Sequence, residues 1–228
     1  MNGTDLAGLI AAHSLFGSAS AAELDVIAAR ATKRSFARGD TIMHQGDPGD
    51  CVYILLSGVA RVAVVAVNGR EITLDFLEAG AVVGEIAVLD GAERTASVIA
   101  IAPVEALRID RAAIRDIVAA RPEFAWQLLG QMASRLRQAN ATIESDRAFG
   151  SGPRLARCLI RLMATADAPG LLRHDLNQTD LAQFAGMSRE QINRQLSVWA
   201  DTGLITREQG RVRIMDAPSL AEIAESGE

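Results

Sequence analysis

The sequence predicts an α+β protein, in which an antiparallel β-roll precedes a long helix and a small helical domain with a two-stranded wing. Two observations carry this prediction. Between residues 35 and 110, Gly, Asp and Asn turns separate short runs rich in Val, Ile and Leu, which is typical of many short strands. Between residues 111 and 147, glycine and proline become rare and apolar residues recur at helical spacing.

The length of 228 residues and the hydrophobic content of 49% suit two cores better than one. The segment Phe149–Pro153 breaks the helical pattern with two glycines and a proline, so we place a boundary there. The predicted parts are N-terminal helices with the β-roll (1–110), a long dimerisation helix with a hinge (111–149), a winged helix-turn-helix domain (150–216) and a C-terminal tail (217–228).

Several function classes are disfavoured by composition. No apolar run reaches the length of a membrane span and the N-terminus lacks a signal-peptide pattern, so we expect a cytoplasmic protein without a membrane partner. The three histidines and two cysteines show no ligand spacing, which predicts no metal, haem or iron-sulfur cluster. No Ser/His/Asp or Cys/His arrangement indicates an enzyme, and the roles of Cys51 and Cys158 stay open.

The N-terminal elements follow from caps and turns. We predict helices at Thr4–Leu15 and Ser20–Thr32, the second opened by a capping box. Asn68-Gly69 indicates a hairpin. In the strand that follows, Ile72, Leu74 and Phe76 alternate with polar residues and are expected to face the core.

The run Gly84–Ala96 combines a glycine, a carboxylate and a guanidinium, and it is the most informative segment for function. Gly84 allows close approach of a ligand to the backbone, and the turn after it can direct N–H groups at an anion. Arg94 can donate two parallel hydrogen bonds to a phosphate. Glu85 repels phosphate and therefore suits a neutral donor such as a ribose hydroxyl. The run favours a ligand that carries both a sugar and a phosphate.

The predicted long helix has an apolar seam. Its members recur at alternating spacings of three and four residues, as the core positions of a two-stranded coiled coil do: Leu129, Met132, Leu136, Ala139 and Ile143. This pattern predicts a homodimer. Leu128 adds a second apolar strip that would pack on the β-roll.

The C-terminal domain has the pattern helix, glycine turn, helix, with Gly186-Met187 as the turn. Ile192, Leu196 and Trp199 form the buried stripe of the second helix. Four side chains near the start of that helix are left to face the major groove of DNA: Arg189, Glu190, Asn193 and Arg194. A solvated helix face with a salt bridge is the alternative.

The local charge, the predicted wing and the candidates for phosphate contacts favour DNA binding over a solvated helix face. The net charge is −5, yet residues 151–216 carry nine Arg against seven Asp and Glu. The hairpin after Gly203 is similar to the wing of a winged helix. Candidates for positioning contacts to phosphate are Thr179, Ser188, Gln191 and Arg211.

The run Gly84–Ala96, its flanks Phe76–Gly80 and Ser97–Ala100, and Gly46–Asp50 together resemble the cyclic-nucleotide-binding fold. With the seam helix and the Ser188-Arg189-Glu190 recognition helix, residues 10–216 resemble the CRP/FNR family of bacterial transcription regulators, closest to the catabolite activator branch. No N-terminal cysteine cluster of the oxygen-sensing branch is present.

The resemblance implies specific roles. Glu85 would hold the ribose 2′-hydroxyl, Arg94 the cyclic phosphate, and Thr95 a phosphate or base atom. Arg189, Glu190 and Arg194 would bind TGTGA-like half-sites of a palindromic operator in double-stranded DNA, with RNA polymerase as a further partner. The expected nucleotide-site residues are Gly84, Glu85, Ile86, Ala87, Arg94, Thr95 and Asn140.

The base of the effector stays open. Where the cAMP-binding branch presents a Thr and then a Ser or Asn, this chain has Ala139 and Asn140. An amide both donates and accepts, so Asn140 suits adenine and guanine alike. Thr95 is also compatible with cAMP and cGMP. We favour cAMP, with three alternatives: cGMP, a vestigial pocket or another effector, and a nucleotide receptor that acts on a protein partner.

Overall fold

The computed structural model describes residues 29–120, 122–163, 172, 176, 178–208 and 211–226. The predicted N-terminal helices lie almost entirely outside this range. The second was expected to reach Thr32, but a strand already begins at Ala31, so its predicted end is wrong. Residues 31–36 pair in register with residues 104–109, and these sheet hydrogen bonds override the local helical pattern.

The β-roll consists of two four-stranded antiparallel sheets. One contains, in spatial order, β1 (Ala31–Phe36), β8 (Val104–Asp110), β3 (Cys51–Ser57) and β6 (Val82–Val83). The other contains β2 (Thr41–Met43), β7 (Ser97–Ala100), β4 (Ala60–Val65) and β5 (Glu71–Leu77). Buried residues from both sheets, among them Leu55, Ala106, Ala60 and Val98, form one cluster. This confirms the predicted α+β class and its β-roll.

The Asn68-Gly69 hairpin is confirmed, because it joins β4 to β5 and Gly69 has a φ of 78°. The predicted inward face of β5 is wrong in its first half. Thr73 is buried, whereas Ile72 and Leu74 are exposed and only Phe76 faces the core as expected. The pairing of β5 with β4 skips Leu74, since Val62 pairs with Asp75 and Ala63 with Thr73, so simple alternation does not continue through β5.

Helices follow β8 as predicted: α2 (Arg111–Ala120) and the long α3 (Pro122–Ala148), while the short α1 (Glu85–Asp90) lies between β6 and β7. The seam of α3 is largely uncovered, with Leu129, Leu136 and Ile143 exposed by 55%, 63% and 51%. The side chain of Leu128 lies outside the described residues. The chain divides into two units, Met1–Arg135 and Leu136–Glu228, so the division falls within α3.

The second unit contains α4 (Ser151–Met163), α5 (Gln178–Ala185), α6 (Arg189–Asp201), β9 (Ile205–Glu208), β10 (Arg211–Ile214) and α7 (Ala217–Glu225). The helix break after α3 is shorter than Phe149–Pro153, since α4 starts at Ser151 and accommodates Pro153 in its first turn. Ile192, Leu196 and Trp199 are buried, as the helix-turn-helix pattern predicts. The segment after residue 216 forms α7, whose Leu220 and Ala224 are buried.

None of the helices in the described ranges is long and apolar enough to cross a bilayer.

Both thiols are buried, which makes their reactivity a test of the fold. Burial, opposed by the Arg161 charge, raises the pKa of Cys158 to about 12. Burial and a hydrogen bond to Asp50 also raise the pKa of Cys51.

Because the thiolate is the reactive form, we expect the folded protein at pH 8 to resist a disulfide reagent such as DTNB. Both thiols should react after unfolding in urea. As a control, Ser197→Cys adds a thiol at an exposed position and should react at once. Native labelling of the unmodified protein at the control's rate would contradict the burial.

Candidate functional site

The short helix α1 is held by two left-handed glycines. Gly84 precedes it with a φ of 83° and Gly91 follows it with a φ of 81°. A Cβ on Gly84 would lie 2.5 Å from Nη1 of Arg94, closer than any side chain could fit. Glycine at this position therefore permits both the turn and the approach of the guanidinium.

Glu85 is the first residue of α1, and its side chain is deeply buried at 1% exposure. Nη1 of Arg135, on α3, donates to its Oε1, and Nη2 of Arg135 donates to the carbonyl of Val82 at 2.6 Å. Within the described part of the chain, Oε2 of Glu85 has no hydrogen-bond partner. A buried carboxylate oxygen without a donor is costly, so this atom can accept a hydrogen bond from a ligand hydroxyl.

Arg94 is also buried, at 5% exposure. Nη1 donates to the carbonyl of Gly84 and Nη2 to the carbonyl of Cys51, both at 2.7 Å. Nη2 also lies 3.4 Å from Oδ1 of Asp50. A guanidinium has five N–H donors, so these two carbonyls leave donors for an anion. The two carbonyls therefore fix the orientation of the Arg94 guanidinium plane.

Asp50 adds a carboxylate at the edge of this arrangement. Partial burial acts to raise its pKa, but the hydrogen bond from the Cys51 thiol and the Arg108 charge outweigh burial and hold the pKa below its usual value. Asp50 is therefore ionised at neutral pH. Its charge helps to compensate the Arg94 and Arg108 guanidinium groups.

The other expected nucleotide-site residues differ in exposure. Ala87 is buried inside α1, Ile86 is exposed on it, and Thr95 is exposed beside Arg94. Asn140 is an exposed residue of α3 that belongs to the second unit, so its role in a ligand site stays a prediction.

Sequence reasoning missed Arg135. It lies 50 residues from Glu85 and no local motif relates the two. The sequence carries no signal for this pair, because the half exposure of Arg135 is known only from the structure. No group of three or more His, Cys, Asp or Glu suited to a metal ion occurs in the ranges described.

The recognition helix α6 begins with a reciprocal cap. Oγ of Ser188 accepts from the Gln191 backbone N–H at 3.1 Å, and the Ser188 N–H donates to Oε1 of Gln191 at 2.9 Å. This capping box fixes where the helix starts. Arg189, Glu190 and Arg194 are exposed on its N-terminal half, which is the geometry that a DNA-reading helix requires.

The remaining DNA-contact candidates flank this helix. Thr179 and Asn193 are half-buried, and Arg211 is exposed on the wing strand β10. Oε1 of Gln191 is engaged in the cap, which leaves its amide N–H groups for phosphate. On β9, Nη2 of Arg207 donates to the Asn193 carbonyl at 3.1 Å and so ties the wing to the recognition helix.

Two family models match the chain over the parts described above. A cyclic nucleotide-binding domain covers residues 33–121, and a Crp-like helix-turn-helix domain covers residues 153–223. A CRP-like cAMP-activated global transcriptional regulator from Mycobacterium tuberculosis is 38% identical over 194 residues, which are 83% of this chain and 86% of the relative. The chain belongs to the CRP/FNR family. That family comprises transcription regulators and not enzymes, as the sequence predicted.

Further relatives agree with the CRP/FNR assignment. The cyclic AMP receptor protein of Thermus thermophilus is 31% identical, with 92% of this chain and 96% of the relative covered. FixK2 from Bradyrhizobium japonicum shares the fold with a TM-score of 0.78 at 18% identity, over 87% of this chain and 99% of that one. The predicted order of β-roll, helices and helix-turn-helix domain is thus confirmed.

The Glu85–Arg135 ion pair yields a stability prediction. Arg135→Gln leaves the buried carboxylate without its cation, which we expect to lower the free energy of unfolding by about 1–3 kcal/mol. Arg137→Gln, an exposed change two residues away, should cost less than about 0.5 kcal/mol. Urea unfolding of both variants measures the difference. Equal effects would mean that Arg135 does not compensate Glu85.

Proposed function

We propose that this chain is a homodimeric transcription regulator whose DNA binding is gated by a cyclic nucleotide, with cAMP favoured over cGMP. The observation that carries the proposal is the buried Glu85 carboxylate, whose Oε2 lacks a donor, in the same glycine-led segment as the Arg94 guanidinium. One group suits a ribose hydroxyl and the other a phosphate. A cyclic ribose phosphate presents both in one rigid ligand.

Each chemical group of such a ligand has a proposed partner. The 2′-hydroxyl donates to Oε2 of Glu85, and the cyclic phosphate accepts from Arg94 and from backbone N–H groups at the start of α1. Gly84, Ile86 and Ala87 form the backbone around that ribose phosphate. The Thr95 hydroxyl, exposed beside Arg94, donates to phosphate or base.

The choice of base rests on the relatives and on Asn140. Relatives named for cAMP match most of the chain, which favours cAMP. Asn140 is an exposed amide on α3 that accepts and donates, so it pairs with the edge of either purine. For this reason cGMP is the alternative effector.

The exposed stripe of α3 supports the dimer. Leu129, Leu136 and Ile143 are more than half exposed in the single chain, and they recur at coiled-coil spacing. We propose that α3 of a second copy covers them. Ligand binding then favours one packing of the two helices, provided that the nucleotide binds the DNA-competent state more tightly.

The DNA-binding surface is proposed on the second unit, with 150–216 as its domain and 111–149 as the dimerisation helix and hinge after the 1–110 nucleotide domain. The two α6 helices of a dimer would enter major grooves one turn apart on a palindromic operator with TGTGA-like half-sites. Arg189, Glu190 and Arg194 would contact bases, with RNA polymerase as a further partner. A bacterial regulator of this kind acts in the cytoplasm.

A second candidate is a regulator with another effector or a vestigial pocket. The observation that favours it is that Arg135 already donates to Glu85, and backbone carbonyls already engage Arg94. A receptor that acts on a protein partner is a third candidate, and sequence-selective DNA binding by the full chain would exclude it.

Calorimetric titration of cAMP and cGMP tests the effector directly. We expect the unmodified protein to bind and Arg94→Leu to lose binding, because Leu supplies no donor to the phosphate. Arg70→Leu removes an exposed arginine of the hairpin and should bind as the unmodified protein does. Circular dichroism confirms that each variant is folded. Undiminished binding by Arg94→Leu would overturn the proposed site, and no binding by the unmodified protein would favour the vestigial pocket.

Fluorescence anisotropy with operator and unrelated DNA tests the proposed interface. Arg189→Ala should cost about 1–3 kcal/mol on the operator and much less on unrelated DNA, since it removes a base contact. Arg211→Ala should weaken binding to both DNAs, since it removes a phosphate contact. The slope of the logarithm of the binding constant against the logarithm of the salt concentration should fall by about one. Equal losses on both DNAs for Arg189→Ala would contradict the assignment of base reading to α6.

A further inference from the structure

The turn that leads from β2 into β3, residues 46–51 with Cys51 as the first residue of β3, contacts both halves of the candidate nucleotide site. On the arginine side, the Gly46 N–H donates to the Arg94 carbonyl at 2.9 Å, and the Arg94 N–H donates to the Asp47 carbonyl at 2.8 Å. The Cys51 carbonyl accepts from the Arg94 side chain at 2.7 Å. A β-bridge pairs Pro48 with Glu93. Backbone and side chain of Arg94 are thus both held by this turn.

On the carboxylate side, the same turn packs against α1 through Gly49. A Cβ on Gly49 would lie 2.4 Å from the Cβ of Ala87 and 2.6 Å from its backbone carbonyl carbon and oxygen. Carbon atoms in ordinary contact are about 3.5–4.0 Å apart, so no side chain fits here. The φ of Gly49 is not in the left-handed region, unlike those of Gly46 and Gly84. Its requirement for glycine is therefore steric.

We propose that Gly49 is a positioning residue, which sets the spacing between the α1 helix that carries Glu85 and the segment before β7 that carries Arg94. This inference rests on the proposed nucleotide site. Gly49 would hold the two binding groups of that site, Glu85 and Arg94, at a fixed distance. The 46–51 turn is hydrogen-bonded to Arg94 on one side and in direct contact with α1 on the other. Because Gly49 has no side chain, the turn packs closely on α1, and this packing determines how far Glu85 lies from Arg94.

The expected loss of nucleotide affinity follows from the steric overlap between a side chain at Gly49 and Ala87. Adding one methyl group at Gly49 requires a displacement of about 1 Å to restore normal contact distances. Ala87 is 1% exposed and packed inside the domain, so the overlap cannot be relieved by a side-chain rotation. Binding groups must be held within about 0.5 Å of their productive positions. A rigid cyclic nucleotide cannot follow a 1 Å change in the spacing of its two anchors.

The test compares Gly49→Ala with Gly39→Ala in the full-length protein. Gly39 lies in the β1–β2 turn with a φ of 92° and open space where a Cβ would lie, so alanine there strains the backbone without displacing α1. We expect Gly49→Ala to weaken cAMP binding at least tenfold in calorimetry, and Gly39→Ala to lower Tm but keep the Kd. The double variant Gly49→Ala/Ala87→Gly removes the closest overlap and should recover at least threefold of the lost affinity.

Hydrogen exchange without nucleotide provides a second readout. Gly49→Ala should accelerate exchange in peptides that cover residues 84–96, whereas Gly39→Ala should not. Unchanged affinity and unchanged exchange in Gly49→Ala would overturn the inference, as would a double variant no better than the single one. If Gly49→Ala does not fold, recovery of folding in the double variant supports the Gly49–Ala87 contact and its absence refutes it. Failure of the unmodified protein to bind nucleotide would refute the proposed function alone, since the exchange data still decide the positioning role.

Discussion

The structure of the nucleotide-binding domain depends on how it compensates one buried carboxylate. Glu85 lies in the first turn of a short helix, where the helix dipole favours a negative charge, and Arg135 of the long helix donates to one of its oxygens. Removing a carboxylate from water costs several kcal/mol, so its partners are not optional. The other oxygen has no partner in the described residues, and the site is therefore incomplete in a specific way: it lacks one hydrogen-bond donor.

The Glu85 carboxylate links the β-roll to the long helix. Arg135 joins α3 to α1 through Oε1 of Glu85, so under our proposal a ligand that donates to Oε2 binds the same carboxylate as the long helix. The seam of α3 is mostly exposed, and under our proposal its packing against a second copy responds to the ligand. Under our proposal, a few kcal/mol of ligand binding energy is sufficient to choose between helix packings, because allosteric coupling is typically of that size.

Much of this was predictable from sequence because the information is local. The recognition helix is specified by its capping box and its Ile192–Leu196–Trp199 stripe, and the hairpin by Asn68-Gly69. What failed depends on partners remote in sequence. The bulge at Leu74, where β5 pairs with β4, reversed the expected faces of Ile72 and Leu74, and the Arg135–Glu85 pair spans 50 residues. Gly49 was visible as a turn residue, but only the fold places Ala87 against it.

The measurement that most directly tests the account is the affinity of the nucleotide for the protein with and without operator DNA. Gating requires reciprocity, since an effector that strengthens DNA binding must itself be bound more tightly by the DNA complex. We predict that cAMP, or cGMP if it is the effector, binds the operator complex at least about tenfold more tightly, a coupling of about 1.4 kcal/mol. Equal affinity of both nucleotides for free and DNA-bound protein would contradict the central claim that this pocket controls DNA binding.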